Sequence, residues 1–171
     1  MLFRSIVFSN FVLHWVQNKD EAFRNMFSSL KPDGKIVLTY NDCFPVAEDR
    51  VYRELNPENL DRILNMHKFE TRPVQEMCTA AGFNILKSYH VKMREMVFEN
   101  GDSLRSFFWA TTHGVFDPQL VTDGRLASFC ARYSSGEAGE IRLSPGENDF
   151  YCALIAIKPF TAKTGVSNLK H

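Results

Sequence analysis

The chain has 171 residues, 44% hydrophobic and 23% charged, which suffices for one domain with a real core. Twenty Lys and Arg balance twenty Asp and Glu, so the formal charge is zero. That balance creates no general field for a phosphate backbone or an anionic lipid surface, and it argues against nucleic acid and membrane as partners.

The four cysteines, Cys43, Cys78, Cys130 and Cys152, are widely spread, with no Cys-x-x-Cys pair and no His at zinc-site spacing. Their spacing predicts no metal ligands, and a chain this apolar needs no disulfide staples, so reduced thiols in a cytoplasmic protein are expected. Met1 to Val16 is interrupted by Ser9, Asn10 and His14 and lacks a small-residue cleavage site, which reads as mature sequence rather than a signal peptide. No stretch is long and apolar enough to cross a bilayer.

In chain order, the apolar run Leu2 to Phe8 predicts a strand that stops at Ser9-Asn10. After the aromatic segment Phe11 to Val16, Asn18 with Glu21 three residues on predicts a capped helix that buries Ala22, Phe23, Met26, Phe27 and Leu30. Lys31-Pro32-Asp33-Gly34 ends it, and Lys35 to Tyr40 predicts a second buried strand. The unit is a βαβ crossover with parallel strands. The loop from Asn41 to Pro45 then lies at the carboxyl end of that strand, where open parallel sheets bind ligands.

Val46 to Asn56 and Pro57 to His67 predict two helices over the site end, the second with Asn56 as N-cap. Pro73 to Ala81 predicts a helix stopped by Gly82, and the alternation from Asn84 to Arg94 predicts a strand with one wetter face. Asp102 is a candidate cap for a helix through Thr111, and Asp117-Pro118 for another through Tyr133 that Gly124 weakens. Ser134 to Asn148 reads as a polar connection. Phe150 to Ile157 is apolar on both faces, as a strand inside a sheet must be. Thr161 to His171 reads as a frayed tail.

Three stretches together resemble a known family: Ile6-Val7-Phe8-Ser9-Asn10, Leu13-His14-Trp15-Val16, and the helix ending Leu30-Lys31-Pro32-Asp33-Gly34-Lys35. They resemble the second half of class I S-adenosylmethionine-dependent methyltransferases. Within that family the likeness is to the juvenile hormone acid, trans-aconitate and malonyl carrier protein methyltransferases. Leu13-His14-Trp15, a helical insertion from Met96 to Trp109, and Tyr151 to Ala156 leading into Lys158-Pro159 carry that narrower resemblance.

The resemblance implies an α/β fold, the C-terminal half of a Rossmann-like seven-stranded sheet (strands 4, 5, 7, 6) with flanking helices, over residues 1–160. The family's full sheet order is 3-2-1-4-5-7-6, with the seventh strand antiparallel. It further implies S-adenosylmethionine as cofactor, with Ser9, Asn10 and Phe11 against it. His14, Trp15, Phe108, Trp109 and Tyr151 would meet a small-molecule carboxylate acceptor. Each also has a plainer structural reading: polar strand-end groups, a helix-start histidine, and core aromatics. A carboxylate is already ionised at neutral pH, so no catalytic base is expected; donors such as the Trp15 indole and an imidazole would hold it.

None of the nine glycines stands two residues from another, so the Gly-x-Gly turn that admits a nucleotide cofactor is missing. Three βα units of about 30 residues each are also missing, roughly 90 to 100 residues. The expectation is therefore a fragment or truncated form, inactive alone, whose first strand is an exposed edge inviting self-association. The alternative expectation is a non-catalytic remnant serving as an interaction module.

Overall fold

The computed structural model of the chain describes residues 4–69, 72–134 and 140–160. The expected frayed tail, 161–171, lies outside them. Strand β1 (Arg4–Asn10) leads through a short 3-10 turn at Leu13–Trp15 into helix α1 (Lys19–Ser29) and strand β2 (Leu30–Tyr40). Asn18 caps α1 as expected: its Oδ1 accepts from the Glu21 amide at 3.0 Å, and its Nδ2 donates to Glu21 Oε2 at 3.1 Å.

The two strands pair in parallel, as the crossover requires. The turn expected at residues 31–34 is instead taken into β2 as an irregularity, since Leu30 already pairs with Arg4 and pairing resumes at Ile6 with Lys35. Gly34 is obligatory there, because a Cβ would stand 2.8 Å from the Lys31 carbonyl oxygen and 2.9 Å from the Leu30 side chain.

Helices α2 (Val46–Leu55), α3 (Leu60–Met66) and α4 (Val74–Ala80) follow, then strand β3 (Asn84–Lys92). Asn56 does not cap α3: it is fully buried and exchanges hydrogen bonds with Asp117, donating Nδ2 to the carbonyl at 2.8 Å and accepting from the amide at 3.2 Å. Gly82 ends α4 with φ +102°, the left-handed conformation expected of a helix stop.

Strand β4 (Met96–Phe98) precedes α5 (Gly101–Thr111) and α6 (Asp123–Tyr133). Strands β5 (Ile141–Leu143) and β6 (Phe150–Ile157) end the described chain. Here the structure departs from the sequence reading in three places. Asn100, not Asp102, caps α5 through a capping box with Ser103, and Asp102 pairs with Arg105. Thr122, not Asp117, caps α6, so Gly124 falls in its first turn, where helix propensity matters least. The start of the expected helical insertion and part of the expected polar connection form a β4–β5 ribbon.

The main sheet runs β1-β2-β6-β3, with β6 antiparallel to both its neighbours. That is the order the resemblance implied, and the doubly apolar β6 takes the interior position its composition demands. The result is a mixed α/β fold with a sheet and flanking helices.

Two cores result. Phe23 of α1 and Val74, Met77 and Cys78 of α4 close over Ile36, Leu38, Leu154 and Ala156 on one face of the sheet. Val51, Tyr52, Leu55, Leu104, Phe108, Phe116 and Phe129 knit α2, α5 and α6 into a helical lobe. β1 is an edge strand, and its outer face leaves Ile6 60% and Phe8 67% exposed. Among the described residues no helix is long and apolar enough to cross a membrane.

Candidate functional site

Between the end of the sheet where β1 and β2 terminate and the helical lobe lies a cavity of about 720 Å³. From the segment after β1 it takes Phe11, His14 and Trp15; from α2, Glu48 and Tyr52; from the chain after α3, His67. β3 and the residues beyond it add Lys92, Arg94 and Met96, α5 adds Phe107, Ala110 and Thr111, and β6 adds Tyr151. β6 runs antiparallel, so its first residues arrive at the same end as the last residues of β2.

A stack of rings forms one wall. His67 lies 4.3 Å from Trp15 and 4.2 Å from Phe44, centroid to centroid, and 5.5 Å from His14. Both imidazoles are buried, His14 5% and His67 8% exposed. Nδ1 of His14 and both ring nitrogens of His67 make no hydrogen bond among the described residues. Burial, then the Lys19 charge, lowers His14 to a pKa of about 4; burial, then His14, lowers His67 to about 4. At neutral pH both rings are uncharged, each with one N–H to donate and one nitrogen to accept.

Glu48 supplies the opposite kind of group. Burial and the nearby Asp149 carboxylate raise it to about 7, against a hydrogen bond with Tyr52 that lowers it. Burial and the Glu48 charge in turn push the Tyr52 phenol up. Near neutrality the Glu48 carboxyl is therefore part protonated and able to donate.

The cavity gathers some of the residues singled out from the sequence and not others. His14, Trp15 and Tyr151 line it. So does Phe11, set against the ring of Tyr151 at 5.3 Å, although the resemblance implies the cofactor side for it. Ser9 and Asn10 do not line it; Ser9 pairs with Leu38 in the sheet, and Asn10 accepts a hydrogen bond from Thr39. Phe108 is fully buried in the helical lobe, and Trp109 is half exposed and outside the cavity lining. The reason is helix geometry: residues 107, 110 and 111 share the face of α5 turned to the cavity, and 108 and 109 are rotated away from it.

His67, Glu48 and Arg94 also line the cavity, although the sequence does not single them out. Nothing near them in sequence marks them, because each joins the site only through packing of its own element.

A second cavity, of about 520 Å³, lies on the other side of His14 and Asn41, which line both. It is walled by Lys19, Lys68, Arg72, Asp42, Cys43 and His90, among others.

Residues 5–38 match the sequence model of a methyltransferase domain. The chain is 30% identical over 79 residues to juvenile hormone acid O-methyltransferase of Bombyx mori, a match that covers 42% of this chain and 28% of that protein. Among solved structures, a Bacillus halodurans protein described as a methyltransferase is 14% identical over 91% of this chain and 70% of its own, with a TM-score of 0.49. The [4+2]-cyclase SpnF is 18% identical over 93% and 51% respectively, with a TM-score of 0.47. The β1–α1–β2 unit that frames one end of the cavity is thus similar in sequence to a methyltransferase domain, and the chain spans 28% of the length of the juvenile hormone acid O-methyltransferase that it matches.

Proposed function

We propose that this chain carries the acceptor-binding part of an S-adenosylmethionine-dependent O-methyltransferase for a small carboxylic acid with an apolar body. The observation that carries this reading is the aromatic cavity with two buried, neutral imidazoles, of which Nδ1 of His14 and both nitrogens of His67 lack partners among the described residues. An ionised carboxylate needs donors for one oxygen and alignment of the other toward the methyl group; it needs no base. His14, His67 and the Trp15 indole are such donors, and Lys92 and Arg94 add positive charge to the lining. Phe11, Phe107, Met96 and Tyr151 give the acceptor's body an apolar wall.

The described residues fit S-adenosylmethionine poorly. They offer it the end of β1 but no glycine turn through which backbone could approach it, and the Asn10 side chain is already engaged by Thr39. On this reading residues 1–160 form a partial domain, and the cofactor walls come from sequence outside it.

The test uses Trp15 emission in the 171-residue chain, with Trp109→Phe removing the other indole. A long-chain unsaturated carboxylic acid is expected to change that emission saturably, while its methyl ester binds at least roughly tenfold more weakly, because the ester lacks the charge that donors hold. Equal binding of acid and ester overturns the carboxylate reading. Calorimetry with S-adenosylmethionine is expected to give no binding heat, and saturable binding would overturn the account of the cofactor walls.

A second reading, a non-catalytic interaction module, is favoured by the open edge of β1 with Ile6 and Phe8 in water.

A further inference from the structure

Spacing along the chain hides a juxtaposition that the sheet creates. Cys152 of β6 stands directly across from Tyr40 of β2 on one side and from His90 of β3 on the other. Opposed residues in adjacent strands hold their Cβ atoms about 5 Å apart, so His90 and the Cys152 thiol are neighbours by register alone. Two residues beyond the end of β2, Asp42 reaches the same place, and the Cys152 thiol donates to its Oδ2 at 3.3 Å. One ligand-type atom from each of Asp42, His90 and Cys152 lies within 4.8 Å of the other two.

We propose that Asp42, His90 and Cys152 bind a divalent cation of the zinc class, with the remaining coordination position open to the 520 Å³ cavity.

The donor set argues for this class. A thiolate, an imidazole and a carboxylate suit zinc and its borderline neighbours, whereas calcium and magnesium take oxygen alone. Bond lengths of about 2.0 to 2.3 Å place tetrahedral ligand atoms roughly 3.5 Å apart. Asp42 and His90 are exposed and free to turn inward by that margin, while Cys152, 2% exposed, is the fixed member. A second observation points the same way: Asn41, 8% exposed, lines this cavity with its Oδ1 buried and without a donor among the described residues.

The cations that line the cavity have partners of their own. Arg72 pairs with Asp20, Lys68 donates to the Asn65 carbonyl, and Lys19 donates to the Val16 carbonyl. On binding, the Cys152 Sγ–H bond breaks and its proton passes to solvent. Sulfur then forms the metal bond with the electron pair left behind, and the Asp42 oxygen that accepted the thiol's hydrogen bond becomes a ligand. No electron is transferred, and one proton is released per ion. The site is independent of the methyl-transfer reading.

The experiment titrates cobalt(II), as a coloured stand-in for zinc, into the 171-residue chain. Saturable binding of one ion with a thiolate-to-cobalt charge-transfer band is expected, together with release of one proton. The band is expected to vanish in Cys152→Ser and to survive in Cys43→Ser, which removes the exposed thiol nearby. His90→Asn and Asp42→Asn are expected to weaken binding by roughly tenfold or more. A wild-type titration without the band, or a band that is lost in Cys43→Ser, overturns the proposal. Because Cys152 is a core residue and its variant can fail to fold, X-ray absorption of the zinc-loaded wild-type chain gives a separate reading. One sulfur among nitrogen and oxygen ligands is expected, and a shell without sulfur overturns the proposal.

Discussion

The carboxylate of Asp149 accepts the backbone amide of Val46, at 3.0 and 2.9 Å to its two oxygens, across 103 positions of sequence. It also accepts the Gly146 amide at 2.7 Å, and it is 3% exposed. The residue just before β6 thus caps α2, the helix that carries Glu48 and Tyr52 into the cavity. Replacing it with Ala removes a charge-assisted cap and leaves two part-buried amides without this acceptor. A loss of about 2 kcal/mol is expected in urea unfolding, with Asp149→Asn recovering part of it.

Glu48 makes stability depend on pH in a definite direction. Its pKa is raised in the folded chain to about 7 from 4.5, so the folded state holds a proton that the unfolded state gives up between those values. Stability attributable to Glu48 is full below about pH 4.5 and is lost as pH rises through 7. Glu48→Gln is therefore expected to change stability little at pH 4 and to raise it at pH 8, by about 1 to 3 kcal/mol. Paired thermal melts at the two pH values check this, and an equal shift at both would contradict it.

His14 and His67 act in the opposite range. Both are lowered from 6.5 to about 4, so the unfolded chain takes up protons first as pH falls. Stability from these neutral rings is full above about pH 6.5 and declines on acidification toward 4. His67→Phe keeps an aromatic ring between Trp15 and Phe44 and removes one titrating group, so the slope of stability against pH over that range is expected to flatten by about half. Denaturant midpoints measured at several pH values report the slope directly.

The open edge of β1 carries its own test. Ile6 and Phe8 project from the uncovered face of an edge strand, an arrangement that invites pairing with a second copy. Wild-type chain is expected to elute from size-exclusion chromatography as concentration-dependent oligomers. Phe8→Lys is expected to shift elution toward the monomer with little loss of folding stability, because Phe8 is 67% exposed.

Lys158 offers a stability test apart from the site. Its ammonium donates to the carbonyls of Phe27 at 2.8 Å and Leu30 at 2.7 Å, closing the end of α1 from the residue just past β6. Lys158→Met keeps most of the apolar stem and removes the donors. A loss of about 1 to 2 kcal/mol is expected, measured as a shift in the urea midpoint at unchanged slope.

What could be read along the chain was what short-range periodicity encodes: the β1–α1–β2 crossover, the Asn18 cap, the Gly82 stop, and an interior strand at Phe150–Ile157. Those depend on neighbours within a few residues, and so did the methyltransferase-like Leu13-His14-Trp15 block. Caps shifted from Asp102 to Asn100 and from Asp117 to Thr122 because several polar residues compete near a helix start and tertiary packing selects among them. The β4–β5 ribbon was illegible because its three-residue strands have no pattern of their own. The site divides in the same way. His14 and Trp15 were visible beside the strand end, but His67, Glu48 and the Asp42–His90–Cys152 cluster exist only once helices and strands far apart in sequence are packed together. Strand register and helix rotation, which no local pattern specifies, decide which side chains face the cavity.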